Sequence, residues 1–246
     1  MSNIIIFEHS NPSIKYVART VTTGDELAMV QRYLASIKKT AKALKRKQIA
    51  IFVEPRIETG FPDLVIVEYY LPPNDIWCQS RMGLNNTDLK ILMHIISSSG
   101  PRVKVSALCE LLGYEKEIII RSLKKLYKCK LIYLSKSQES VRKVAIEKWC
   151  RIKKIVAVEA KIDKWHRAIE QANRNTWFAT DSFVLLNKAR CNQKVYDLCR
   201  QQGIGIILQN GRIDTILNSE HKDFPISYAS LQFNEWIQRY LHNGVI

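Results

Sequence analysis

Two acidic residues and a lysine, placed where predicted strands begin or end, could together carry hydrolytic chemistry. Asp63 comes directly before one apolar run, and Glu159 and Lys161 end another. Because successive side chains of a strand alternate between its faces, Glu159 and Lys161 should project to the same face. Two carboxylates can bind a hard divalent cation such as Mg²⁺ and leave positions for water and a phosphate oxygen. A lysine beside them could orient that water or stabilise developing negative charge.

The sequence context of these residues is more informative than the strings themselves. A second Glu-x-Lys, at residues 220–222, has no apolar strand before it, whereas Glu159 and Lys161 close an apolar run. Glu54 and Glu58 lie near Asp63 and are alternative acids. Their position in a loop favours solvated charges for both.

The elements that would position the site follow from hydrophobic periodicity. Apolar residues three and four apart predict a helix over 26–47. The runs 48–54 and 64–70 are joined by a segment with Gly and Pro that is too short for a crossover helix, which predicts an antiparallel hairpin. Further strands and helices should then alternate at 155–161, 163–173, 182–186, 193–202 and 204–208. This alternation predicts an α/β fold whose sheet is partly parallel and covered by helices.

Residues 84–145 interrupt that alternation with three short helices and a hairpin. This order resembles a winged helix-turn-helix module, in which the third helix is the recognition helix and the hairpin is the wing. The basic residues expected to contact nucleic acid from this helix and wing are Arg121, Lys124, Lys125, Lys128, Lys136, Arg142 and Lys143. Winged helices also dock proteins, so a protein partner is the alternative for this module. The tail, 227–242, has the spacing of a packing helix.

The motif and its strand context resemble the PD-(D/E)xK nuclease superfamily, whose fold is restriction-endonuclease-like. Phe61-Pro62-Asp63 precedes an apolar strand, and Val158-Glu159-Ala160-Lys161 ends the next core strand. The resemblance extends from about Gly24 to Leu186. The 96 positions between Asp63 and Glu159 exceed the usual hairpin of this fold, and the inserted module accounts for most of them.

This resemblance implies roles for five residues. Asp63 and Glu159 would be ligands of Mg²⁺ or Mn²⁺, and Lys161 would be the catalytic lysine. Glu26 would be an accessory acid near the metal, and Gln171 would be the polar residue that many such nucleases use near the scissile strand. From the residues alone, Glu26 could equally be an early-helix acid that favours the helix dipole, and Gln171 a solvated helix position.

Composition points to an anionic partner. Lys and Arg number 38 against 23 Asp and Glu, a net charge of +15 over 246 residues. Residues 84–145 hold 12 of these cations against 5 acids. No apolar window approaches the roughly 18 to 20 residues that span a bilayer, and the start of the chain does not resemble a signal peptide. The six cysteines form no CxxC pair. We therefore expect reduced thiols, a cytoplasmic location and no membrane partner.

Together these observations predict a discontinuous restriction-endonuclease-like α/β domain, 1–80 and 147–246, with a mixed sheet flanked by helices. A winged-helix domain, 84–145, interrupts it. The expected function is metal-dependent hydrolysis of DNA phosphodiester bonds, with the winged helix assisting binding to double-stranded DNA. Paired cuts in a duplex would favour a homodimer. The alternative is a non-catalytic DNA-binding or regulatory protein on the same scaffold. Restriction, repair and mobile-element processing all fit the nuclease.

Overall fold

The computed structural model describes residues 3–19, 23–43, 47–71 and 78–243. The strands and α-helices within these ranges, in chain order, are β1 (Ile4–Phe7), α1 (Asp25–Ala43), β2 (Gln48–Val53), β3 (Leu64–Tyr69), α2 (Asn86–Ser97), β4 (Arg102–Lys104), α3 (Val105–Leu112), α4 (Lys116–Lys128), β5 (Ile132–Leu134), β6 (Ser140–Lys143), β7 (Ile152–Lys161), α5 (Trp165–Asn175), β8 (Asp181–Asn187), α6 (Gln193–Gln201), β9 (Gly205–Asn210), β10 (Arg212–Leu217) and α7 (Tyr228–Asn243). Short 3₁₀ turns lie at Pro12–Ile14, Gln79–Gly83, Ile146–Lys148 and Lys188–Arg190.

The chain divides into two compact units. The first, which we call the sheet unit, comprises Met1–Tyr70 and Ile152–Pro225. The second, the helical unit, comprises Leu71–Arg151 and Ile226–Ile246.

The sheet unit is built on a mixed seven-stranded sheet in the order β1-β2-β3-β7-β8-β9-β10. β2 and β3 form the predicted antiparallel hairpin, and β3 pairs antiparallel with β7, with Leu64 opposite Val158. β7, β8 and β9 are parallel to one another, which the alternation of strands and helices predicts. The expectation of an α/β fold with a mixed sheet is therefore confirmed.

Helices cover both faces of this sheet. Met29, Val30 and Leu34 of α1 pack on one face, against residues that include Val158 and Ala160 of β7. The opposite face packs against the apolar stripes of α5 and α6, namely Ala168, Ile169, Ala172, Val195 and Cys199. Since β7 is central and covered on both sides, its middle, Ile155 to Val158, is continuously apolar, and polar residues lie near its two ends.

The helical unit combines α2, α3, α4 and α7 with a three-stranded antiparallel sheet in the order β4-β6-β5. Asp88 is a main link between its helices. This carboxylate completes a capping box with Asn85 at the start of α2. It also accepts hydrogen bonds from Ser122 at 2.6 Å and from Lys125 at 3.1 Å, both on α4. The orientation of α4 is thereby tied to the start of α2.

Two features of the secondary structure differ from the sequence prediction. The helix predicted over 26–47 is observed to Ala43; residues 44–46 lie outside the described residues, and Lys47 is not helical. The strands β1, β4 and β10 were not predicted; β4 has three residues, and β1 and β10 are the edge strands of the large sheet. No residue of β4 or β10 is buried, so the hydrophobic pattern of these two strands is weak. β1 is apolar throughout, but four residues are too few for periodicity to distinguish a strand from a helix.

The domain boundaries also need a correction. The sequence prediction placed 1–80 and 147–246 in the α/β domain, but 71–80, 147–151 and Ile226–Ile246 belong to the helical unit. The largest of these differences is the C-terminal segment. The reason is that α7 packs against α2, and its Leu231, Phe233, Trp236 and Ile237 are buried. Periodicity identified a packing helix correctly, because it reports an apolar stripe. It contains no information about which surface that stripe meets.

Candidate functional site

The structure brings Asp63, Glu159 and Lys161 together at one end of the sheet. Asp63 immediately precedes Leu64, which pairs with Val158 on the neighbouring strand. Continuing that register by one residue brings Asp63 opposite Glu159. The strand after Asp63 therefore neighbours the strand that carries Glu159 and Lys161.

Asp63 is held by the backbone of the strand beside it. Its Oδ2 accepts a hydrogen bond from the Ala160 N–H at 2.7 Å and lies 3.5 Å from Lys161 Nζ. Burial raises the pKa of the Asp63 carboxyl, and the charges of Glu26 and Glu54 add to that rise. The Lys161 cation and the Ala160 N–H oppose it, and the pKa remains above its usual value.

Glu159 is a buried carboxyl that is only half satisfied. Its side chain is 2% exposed, and its Oε1 accepts a hydrogen bond from Asn175 Nδ2 at 2.7 Å. Its Oε2 has no hydrogen-bond partner among the described residues. Burial, and then the nearby charge of Asp63, raise the pKa of Glu159 to about 8. An unpaired oxygen on a buried acid is costly, and here it lies beside a second acid.

Lys161 connects this pair of acids to α1. Its Nζ donates to Glu26 Oε2 at 3.1 Å and to the Ala160 carbonyl at 2.9 Å. Burial alone would lower the pKa of Lys161, but the charges of Asp63, Glu26 and Glu159 outweigh it and leave the pKa raised. The ammonium is therefore charged at neutral pH. Glu26 itself is about half exposed, in the first turn of α1.

A small pocket of about 80 Å³ opens beside these residues. Its lining includes Glu26, Asp63 and Lys161, together with Arg19 and Glu54. Arg19 forms an ion pair with Glu54 at 3.6 Å, and the Glu54 side chain is only 12% exposed. The expectation that Glu54 is a solvated loop charge is therefore wrong. Glu54 has φ +45°, a left-handed conformation that is uncommon for a residue with a Cβ and often marks functional sites. Glu58 does not line this pocket and is exposed.

On α5, the residue that hydrogen-bonds to an acid of the site is Asn175, which donates to Glu159. Gln171, which the resemblance suggests, lies one turn earlier, and its side-chain oxygen has no hydrogen-bond partner in the described part of the chain. Asn175 is 5% exposed and bonds Glu159 directly. A sequence signal for it existed: Ala168, Ala172 and Asn175 follow helical spacing, so a polar residue continues an apolar stripe.

These residues could hold a divalent cation only with help from other ligands. The described part of the chain contains no group of three or more His, Cys, Asp or Glu side chains arranged to bind a metal ion. Two carboxylates are nevertheless adjacent, and no described residue donates a hydrogen bond to the buried Glu159 Oε2. Oxygen ligands of this kind suit Mg²⁺, which usually keeps several waters and binds one or two carboxylates. The donor set therefore fits a partly hydrated Mg²⁺ or Mn²⁺.

The predicted nucleic-acid-binding residues of the helical unit fall into two groups. Lys125 and Lys143 are engaged internally, Lys125 with Asp88 and Lys143 with the Ser98 carbonyl at 2.8 Å. The others are exposed on α4, on the turn after β5 and on β6: Arg121, Lys124, Lys128, Lys136 and Arg142. The first group therefore stabilises the unit, and the second remains accessible to an anionic partner.

Comparisons with protein-family models, with curated proteins and with solved structures found no match to this chain. In the described ranges, no helix has both the length and the apolar character needed to cross a membrane.

Proposed function

We propose that this protein is a metal-dependent endonuclease that hydrolyses DNA phosphodiester bonds, with a restriction-endonuclease-like sheet unit and a winged-helix helical unit. The observation that carries the proposal is the convergence of Asp63, Glu159 and Lys161 at the end of two neighbouring strands. The element order of the helical unit, with a basic α4 followed by a β-hairpin, supports the winged-helix assignment.

Asp63 and Glu159 are the residues that would hold Mg²⁺ or Mn²⁺. When bound, the metal would polarise the phosphodiester and lower the pKa of a bound water. Asn175 fixes one oxygen of Glu159 and leaves the other, Oε2, for a cation. The Ala160 N–H similarly holds Asp63 in place.

Lys161 would supply positive charge to the reacting phosphate. Its neighbouring acids keep the pKa raised, so it is a hydrogen-bond donor at neutral pH and not a general base. A fixed donor of this kind stabilises charge that develops in the transition state, and removing one donor commonly costs 10²- to 10³-fold in rate. Glu26 would position the ammonium, since it accepts one of its hydrogen bonds. Exposed cations of α4, with Lys136 and Arg142, would contact the phosphate backbone.

Cleavage of plasmid DNA with Mg²⁺ or Mn²⁺ tests this proposal. Lys161→Ala should reduce the cleavage rate by about 100-fold or more. Lys194→Ala removes the same charge from an exposed position on α6 and should cleave like the native protein. Equal residual cleavage by native protein and Lys161→Ala would refute the catalytic assignment. Tight DNA binding with no cleavage by any variant would instead support the non-catalytic DNA-binding protein.

A further inference from the structure

The outer face of the three-stranded sheet carries a cationic and aromatic surface of which the proposed nuclease uses only Arg142, as a contact to the phosphate backbone. Arg142 on the central strand β6 lies directly between Arg102 on β4 and Tyr133 on β5. Because side chains alternate along a strand, these three share one face. Val141, the neighbour of Arg142, is buried on the other face with Ile132. We call Arg102, Tyr133 and Arg142 the arginine face.

Arg142 and Tyr133 form an exposed cationic and aromatic platform on the arginine face. The guanidinium carbon of Arg142 lies 4.7 Å from the centre of the Tyr133 ring. Tyr133 is nevertheless 47% exposed, and both arginines are exposed. A depression of about 230 Å³ lies over the platform, lined in addition by Leu134, Ser135, Ser140 and Val141.

The charge of the arginine face is not balanced within the described residues. Arg102 and Arg142 are directly opposite each other, an arrangement of like charges that destabilises a sheet. Lys104 follows two residues after Arg102 and so adds a third cation to the same face. Neither arginine forms an ion pair with a described carboxylate, and Glu139, the acid next to Ser140, forms none either. Such a face is suited to an anionic ligand.

We propose that the arginine face binds an unpaired stretch of nucleic acid strand. A base stacks on the platform of Tyr133 and Arg142, and a flanking phosphate pairs with Arg102. Aromatic rings and guanidinium planes are the surfaces on which unpaired bases stack. A duplex offers phosphates to the arginines, but its bases are stacked inside the helix. The aromatic component therefore favours a single strand over a duplex.

Fluorescence anisotropy with a dye-labelled single strand of about 12 nucleotides, within the usual site sizes, and with the matching duplex tests this proposal. EDTA in the buffer prevents metal-dependent cleavage, so the assay reports binding alone and its result is independent of the nuclease test. Tyr133→Ala should weaken single-strand binding at least about fivefold and leave duplex binding within twofold. Tyr133→Phe should bind like the native protein. Arg102→Ala should lower the slope of log affinity against log salt for the single strand by about 0.7.

Arg212→Ala is the matched control, since Arg212 is an exposed arginine on β10 of the sheet unit. Circular dichroism melting should show a cooperatively folded protein for every variant, because the altered side chains are exposed. Arg102→Ala should be at least as stable as the native protein, since it removes the pair of opposed like charges. An equal loss of binding in Arg212→Ala would mean that general charge, and not the arginine face, holds the strand. The proposal is also overturned if Tyr133→Ala weakens duplex and single strand alike, if it weakens neither, or if the native protein binds no single strand.

Discussion

Replacing Glu159 with glutamine measures how much the buried carboxyl lowers the free energy of unfolding. Glu159 is 2% exposed and one of its oxygens lacks a partner among the described residues. Its pKa lies at about 8, against an ordinary value of 4.5. At about 1.4 kcal/mol per pH unit, that difference corresponds to roughly 5 kcal/mol of unfolding free energy.

The sign of the effect follows from where the proton is held. The unfolded chain releases the Glu159 proton near pH 4.5, whereas the folded protein keeps it to about pH 8. Below pH 4.5 both states are protonated and Glu159 imposes no penalty. As the pH rises from 4.5 to 8, the free energy of unfolding falls, and above pH 8 the whole penalty is present. Glutamine is neutral throughout, and its amide oxygen can accept the same Asn175 hydrogen bond.

Urea unfolding in EDTA at pH 4.5, 7 and 9 provides the measurement. Glu159→Gln should match the native protein at pH 4.5 and exceed its stability by up to roughly 5 kcal/mol at pH 9. Glu170→Gln makes the same change at an exposed position on α5 and should follow the native curve. Parallel pH dependence in the native protein and Glu159→Gln would refute the reasoning. If Asp63 and Glu159 bind Mg²⁺, adding it at pH 9 should stabilise the native protein and not Glu159→Gln.

Two further changes test the surroundings of the site and the sheet. Asn175→Ala removes the hydrogen bond that favours the charged form of Glu159, so its pKa should rise further and Mg²⁺ affinity should fall at neutral pH. Isothermal titration calorimetry measures that affinity, with Asn173→Ala, exposed on the same helix, as the control expected to show no change. Gly205→Ala places a Cβ onto the ring of Phe183, its partner across the parallel strands, and should destabilise the protein by about 1–3 kcal/mol. Gly83→Ala is the control, because no heavy atom lies within 4 Å of the added Cβ, and it should have the same urea midpoint as the native protein. Equal destabilisation by both changes would exclude the clash as the cause.

The acids and the lysine could be predicted from the sequence because their position depends on local patterns. An apolar run marks β7, and a short segment with Gly and Pro between two other apolar runs marks the β2–β3 hairpin. The strand period of two predicts that Glu159 and Lys161 project to one face. The remaining requirement, that Asp63 lies beside Glu159, is a statement about strand pairing. That pairing required the 81 residues of the Leu71–Arg151 segment to leave the two strands free to pair. The register of β3 and β7 shows that they do pair.

Asn175 and Glu54 illustrate what local patterns did not provide. Asn175 is recognised as the partner of Glu159 only once the packing of α5 on β7 is known. The sequence interpretation chose Gln171, which lies one helical turn before Asn175 on α5. Glu54 follows β2 and has the sequence context of a solvated loop, yet the ion pair with Arg19 and the adjacent Asp63 place it in the wall of a pocket.

The sequence by itself determined the residue types, the periods of the main helices and strands, and the excess of positive charge, since each of these depends on neighbours a few positions apart. Tertiary structure decided which strands pair, which helix contacts Glu159 and to which unit α7 belongs. It also decided the ionisation of the site. The ordinary pKa of a glutamate is 4.5, whereas burial, and then the charge of the adjacent Asp63, raise the pKa of Glu159 to about 8.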